Sequence, residues 1–125
     1  VLLVDDDPRL VHIVGLYLQV QHLEVITADC GEVALEKLER GMPDLIISDV
    51  MMPGIDGIEL CREIRGMPGG GELPIIMFTA LSSEENRRQA MDAGADQVIA
   101  KPFNLVGLGQ AVKALLPNHA ERASA

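Results

Sequence analysis

Residues 44–60 read DLIISDVMMPGIDGIEL. An apolar run of strand length stops at Asp49, Pro53-Gly54 supplies a turn, and Asp56 with Glu59 has the spacing that opens a helix. Three other short apolar runs end on comparable residues: VLLV on Asp5 and Asp6, PIIMF on Thr79, and DQVIA on Lys101. If the four runs are parallel strands of one sheet, their carboxyl ends lie side by side, at the edge where open α/β sheets bind ligands. Three carboxylates, a hydroxyl and an ammonium then share one small cleft. That set suits a divalent cation together with a phosphoryl group.

The punctuation outside this stretch completes the pattern. Asp7-Pro8 gives an N-cap and a first-turn proline to a helix through about Val20, and Asp29 with Glu32 and Ser82 with Glu85 repeat the capping-box spacing. Asn104 caps a fifth helix. Gly41-Met42-Pro43, Gly66-Met67-Pro68 and Gly94 mark helix ends. The reading is one α/β domain, (βα)5 and doubly wound, with a five-stranded parallel sheet of order 2-1-3-4-5 in the flavodoxin-like topology. Strands are predicted near residues 1–5, 23–27, 44–48, 74–78 and 96–100. Residues 1–116 form the domain, and 117–125 form a tail or the start of a linker. Leu105, Leu108, Val112 and Leu115 give the last helix a face that packs on a sheet, whereas the fourth offers only Ala90, Met91 and Ala93.

Composition fits that picture. A chain of 125 residues is the size of one domain, and 48% hydrophobic residues with a single Tyr, two Phe and no Trp make the core aliphatic. A net charge of -9 argues against direct nucleic-acid binding, which rests on Lys and Arg neutralising phosphates. Cys30 and Cys61 form no metal-ligand spacing and read as reduced residues of a cytoplasmic protein. No apolar run approaches the ~20 residues of a membrane span, and no charged-then-apolar leader is visible. The chain opens inside a predicted strand without an initiator Met, as expected of a segment cropped from a longer one. His12, His22 and His119 are scattered and read as surface or helix-packing residues.

A lone acidic triplet is usually a solvated turn. Here it follows a buried strand, and Asp7 is occupied as a cap, which leaves Asp5 and Asp6 for the cleft. Mg2+ favours oxygen ligands from one or two carboxylates plus phosphate and water, and Asp5, Asp6 and Asp49 could supply such a site. Asp49 is not needed as a cap, since Asp56 follows. Thr79 alone is a weak signal, because Thr is common in strands. Lys101-Pro102 is more specific: a cis bond there would aim the lysine inward.

These pieces, VLLVDDDP, DLIISDVMMPGIDGIEL, PIIMFTA and GADQVIAKPF, resemble the receiver domain of bacterial two-component response regulators, the chemotaxis-protein-like fold. The likeness runs from Val1 to about Leu116. It implies that Asp49 is the phosphoacceptor, Asp6 a direct Mg2+ ligand, Asp5 a ligand mainly through water, and Met51 a ligand through its backbone carbonyl. Thr79 matches the hydroxyl that turns toward the phosphoryl group, and Lys101 the ammonium that pairs with it. A sensor histidine kinase or phosphotransfer protein is the implied donor partner. The implied protein is a phosphorylation-dependent switch rather than an enzyme on a separate substrate, although it promotes its own phosphorylation and dephosphorylation. The implied output surface is helix 4, strand 5 and helix 5, open to an output domain or a homodimer. Where the family commonly has a switching aromatic, this chain has Val98, so switching is expected to rely more on loop and helix movement.

Two other classes fit less well. A haloacid-dehalogenase-like phosphatase needs a second Asp two positions after its nucleophile, and Met51 stands there. A flavodoxin-like cofactor protein needs a Ser/Thr/Gly phosphate loop after the first strand, where this chain has acids. Met51 and Leu81, two positions after Asp49 and Thr79, are both apolar and cannot hold an attacking water, so slow loss of the phosphoryl group is expected.

Overall fold

The computed structural model describes residues 1–80 and 84–116. The expectations for Leu81, Ser82, His119 and the 117–125 tail lie outside the described residues. In chain order the elements are β1 (Leu2–Val4), α1 (Pro8–Val20), β2 (Ile26–Ala28), α2 (Gly31–Arg40), β3 (Ile46–Asp49), α3 (Gly57–Arg65), β4 (Ile75–Ala80), α4 (Glu84–Ala93), β5 (Gln97–Lys101) and α5 (Leu105–Leu115). All strand pairs are parallel, in the order β2-β1-β3-β4-β5. Architecture and order match the sequence reading. The clearest difference in limits is β2, which begins at Ile26; Leu23 and Val25 pack on the core before the ladder starts.

Side chains alternate across each strand, so the sheet feeds two cores. Leu2, Val4, Ile46, Ile75, Met77 and Val98 pack with α2, α3 and α4. Leu3, Ile47, Ile76 and Phe78 pack with Val14 and Leu18 of α1 and with Leu108, Ala111 and Val112 of α5. Burial on both faces explains why the central strands are apolar runs rather than alternating patterns. The edge strand β2 is the exception, with Ile26 and Thr27 exposed. Lys37 of α2 covers it by donating to the Thr27 carbonyl.

Three caps form as read: Asp7 accepts from Arg9 N, Asp56 from Glu59 N and Asn104 from Gly107 N. The Asp29 cap does not. The residue at that N-cap is Cys30, without a side-chain cap bond. Glu32 does not fold back on its own helix end but accepts from Ile55 N at 3.1 Å, because the loop after β3 runs beside α2 and presents an amide there.

At the far end of the sheet Arg65 closes α3 with a cluster of bonds. Its guanidinium donates to the carbonyls of Gly70, Leu73 and Gly94 and to Asp96 Oδ2. Asp96 Oδ2 also accepts from Ile75 N. The loop after α3, the end of α4 and the entry to β5 are thereby tied at one point.

Candidate functional site

Strand order reverses between β1 and β3, since β1 is followed by β2 on one side and β3 returns to the other. The crevice outside the carboxyl ends at such a point is the ligand site of open α/β sheets. Asp5, just past β1, and Asp49, the last residue of β3, stand on either side of it. Asp49 is held there by a tight junction. Val50 N donates to Phe78 O and Gly57 N to Val50 O, which draws the start of α3 against the end of β3.

Oxygens of Asp5, Asp6 and Asp49 lie within 4.8 Å of one another. Asp5 and Asp49 are buried and Asp6 is exposed. Lys101 reaches between them, its Nζ donating to Asp49 Oδ2 at 3.1 Å and to Asp5 Oδ2 at 3.3 Å. The Lys101-Pro102 bond is cis, as read. Asp5 Oδ1 accepts from Asp7 N at 2.9 Å, and Asp49 Oδ1 from Met51 N at 3.3 Å. Met51 therefore touches the site through its backbone N–H, while the residue as a whole is 64% exposed. Thr79 is 3% exposed, and its Oγ1 has no hydrogen-bond partner among the described residues. A buried hydroxyl without a partner carries a desolvation cost that an incoming acceptor would remove. By strand alternation Thr79 belongs to the α2–α4 side of the sheet, and Lys101, like Asp49, to the α1/α5 side.

Burial pushes the Asp5 carboxyl above its usual range, and the charge of Asp49 adds to this against the opposing bonds from Asp7 N and Lys101. For Lys101, burial works to lower the pKa, but the bond to Asp49 and the charges of Asp49 and Asp5 outweigh it, and the net direction is upward. Three carboxylates against one firmly charged ammonium leave excess negative charge. All the donors are hard oxygens, the chemistry that suits Mg2+ rather than a softer metal. A hollow of about 650 Å3 lies at the opposite edge of the sheet, lined by Leu2, Met42, Pro74 and Leu115 among others, and holds none of these groups.

Of the five strand-end positions, Asp5, Asp6, Asp49 and Lys101 come within reach of one another, and Thr79 stands near the end of β4 opposite Ala100. The sequence reading missed Phe78, whose ring lies 5.8 Å from Lys101 Nζ, and the Arg65 and Glu32 bonds. Register was the available signal for Phe78: in parallel neighbours, the residue before Thr79 comes beside the one two before Lys101. Among the described residues no helix is long and apolar enough to cross a membrane.

The response regulator receiver domain model matches residues 1–113. The heme response regulator HssR of Staphylococcus aureus (strain Newman) is 35% identical over 115 residues, covering 92% of this chain and 50% of that protein. The chain therefore spans about half the length of the curated relatives it matches. The signal receiver domain of a signal transduction histidine kinase from Syntrophus aciditrophicus superposes with a TM-score of 0.87 at 36% identity, covering 94% of this chain and 89% of that one. The receiver domain of sensor histidine kinase PA1611 from Pseudomonas aeruginosa PAO1, solved with a magnesium ion coordinated in its active site cleft, gives a TM-score of 0.86 at 30% identity, covering 93% and 95%. Fold, strand-end chemistry and these likenesses agree, and the chain belongs to the receiver domains of two-component response regulators.

Proposed function

We propose that Asp49 accepts a phosphoryl group from the phosphohistidine of a sensor histidine kinase or phosphotransfer protein, or from a small acyl phosphate. An Asp49 carboxylate oxygen bonds to phosphorus as the donor's P–N or P–O bond breaks, and the leaving group departs with the electron pair. Lys101 stays charged throughout and neutralises a phosphoryl oxygen. Thr79 Oγ1 donates to another. Asp5, Asp6 and Asp49, with the Met51 carbonyl, would hold Mg2+, which when bound supplies electrostatic stabilisation of the transferring group.

The observation that carries this reading is the Lys101-bridged carboxylate cluster at the switch point of the sheet, with a buried Thr79 hydroxyl near the end of β4 that has no partner among the described residues. The modified state is read on α4, β5 and α5 by an output domain, a separate protein or a second copy of the chain. Position 98 carries a buried Val, so no aromatic swings there, and the shift is carried by α4. The domain works in the cytoplasm, without direct nucleic-acid binding.

Incubation with acetyl phosphate and Mg2+ is expected to add the mass of one phosphoryl group, and Asp49→Asn to abolish the gain. Retention of the added mass in Asp49→Asn would move the acceptor elsewhere.

A further inference from the structure

Phe78 takes no part in the chemistry above, yet it lies against it. Its register sets it opposite Asp49 on β3 and Ile99 on β5. Opposed strand residues share a face, so Phe78, Ile99 and Lys101 all belong to the α1/α5 side, where the Phe78 ring is fully buried. Lys101 Nζ stands 5.8 Å from the centre of that ring, within the range at which an aromatic face attracts a cation. Phe103 stacks on the same ring, with centroids 4.5 Å apart and planes 14° from parallel. The ring is thus boxed in by the core and by a second aromatic.

Lys101 has three fixed neighbours from three strands: Asp5 after β1, Asp49 on β3 and Phe78 on β4. Two of them are carboxylates with a competing demand, since the same groups face a cation and, at Asp49, the incoming phosphorus. The ring has no such competitor. A long lysine side chain, 29% exposed at the cleft, loses much rotamer freedom when ordered, so a neighbour that keeps it ordered bears on the reaction rate.

We propose that Phe78 is a positioning residue for Lys101: its buried ring, backed by Phe103, keeps the ammonium at the level of the Asp49 carboxylate while the acidic oxygens turn to their other ligands. This rests on the reading of Lys101 as the partner of the phosphoryl group.

The test is a double-mutant cycle in phosphorylation rate, with acetyl phosphate and Mg2+ and intact mass as the readout. Phe78→Leu is expected to slow the parent by about 3- to 10-fold and to slow Lys101→Met by less than about 2-fold, because the ring acts through the ammonium. Equal losses in the two backgrounds would overturn the proposal by showing that the ring serves only the fold. An unchanged rate in Phe78→Leu would overturn it too. Phe78→Met, of similar bulk and without a ring, repeats the cycle should Leu loosen the core. If Lys101→Met alone keeps the parent's rate, the inference falls with the Lys101 reading, while an Asp49-dependent mass gain leaves the phosphoacceptor reading standing.

Discussion

Met51 joins two properties. Its N–H is bound to Asp49 Oδ1, and the residue is largely exposed beside that carboxylate. Hydrolysis of an acyl phosphate needs a water aligned in line with phosphorus, and a thioether cannot hold one by a useful hydrogen bond. Met51→Asn is expected to speed loss of the phosphoryl group by about 3- to 10-fold, which corresponds to roughly 1 kcal/mol of barrier. The added mass, followed over time in Mg2+, checks this, and an unaltered half-life would remove Met51 from control of the lifetime. The strand-end residues were legible because each closes a run of Val, Leu, Ile or Phe that a buried parallel strand demands. Phe78 was hidden inside such a run, where an aromatic residue reads as core and nothing else. Its second role depends on which strand lies beside it.

Elements were read well where a signal is local. The Asp7, Asp56 and Asn104 caps lie within three residues of the amides they satisfy, so spacing identifies them. Asp29 and Glu32 carry the same spacing, yet Glu32 bonds to Ile55, a partner 23 residues away that spacing cannot reveal. The β3–α3 junction is another long-range requirement. A Cβ on Gly57 would lie 2.0 Å from the carbonyl oxygen of Asp49, a backbone atom that can yield only by moving the strand end. Gly57→Ala is therefore expected to cost on the order of 1–3 kcal/mol and to slow phosphorylation, because the displaced atom belongs to Asp49 itself. Gly71→Ala, where the new methyl meets nothing within 4 Å, is the contrasting variant and is expected to melt close to the parent. Thermal melts and phosphorylation rates of the pair decide it: equal melting of the two would mean that the junction relaxes without cost.

At the scale of the molecule, the cleft sets stability against function. Asp5 has its carboxyl pushed above the usual 3.8 by burial first and by Asp49 second. A carboxyl raised in the folded state contributes most below its unfolded value and loses that contribution as pH climbs through the folded one. At neutral pH without metal, the ionised Asp5 is thus a net cost. Asp5→Asn is expected to melt higher than the parent in EDTA at neutral pH, with the gap closing as pH falls toward 3.8, and Lys101 still has Asp49 at 3.1 Å. Saturating Mg2+ is expected to reverse the order, since a cation at about 100 times its Kd adds roughly 2.7 kcal/mol to the parent. A parent that melts above Asp5→Asn in EDTA would show that the cleft is not under electrostatic tension. None of this balance can be read from composition, which gives the net charge of the chain but not the separation of its carboxylates.

The Arg65 clasp has a mechanical consequence. Gly94, directly after α4, is bound by Arg65, and the buried residues of the helix, Ala90 and Ala93, lie in its last turn, while none from Glu84 to Gln89 is buried. The helix is a cantilever with its fixed support at the end away from Thr79 in sequence. With about 1.5 Å of rise per residue, its arm is roughly 15 Å long, so a tilt of about 10° would carry the Glu84 end some ~2.6 Å and leave Ala93 nearly still. Leverage of this kind turns a small push near the cleft into a surface displacement comparable to a side-chain contact, graded along a single helix.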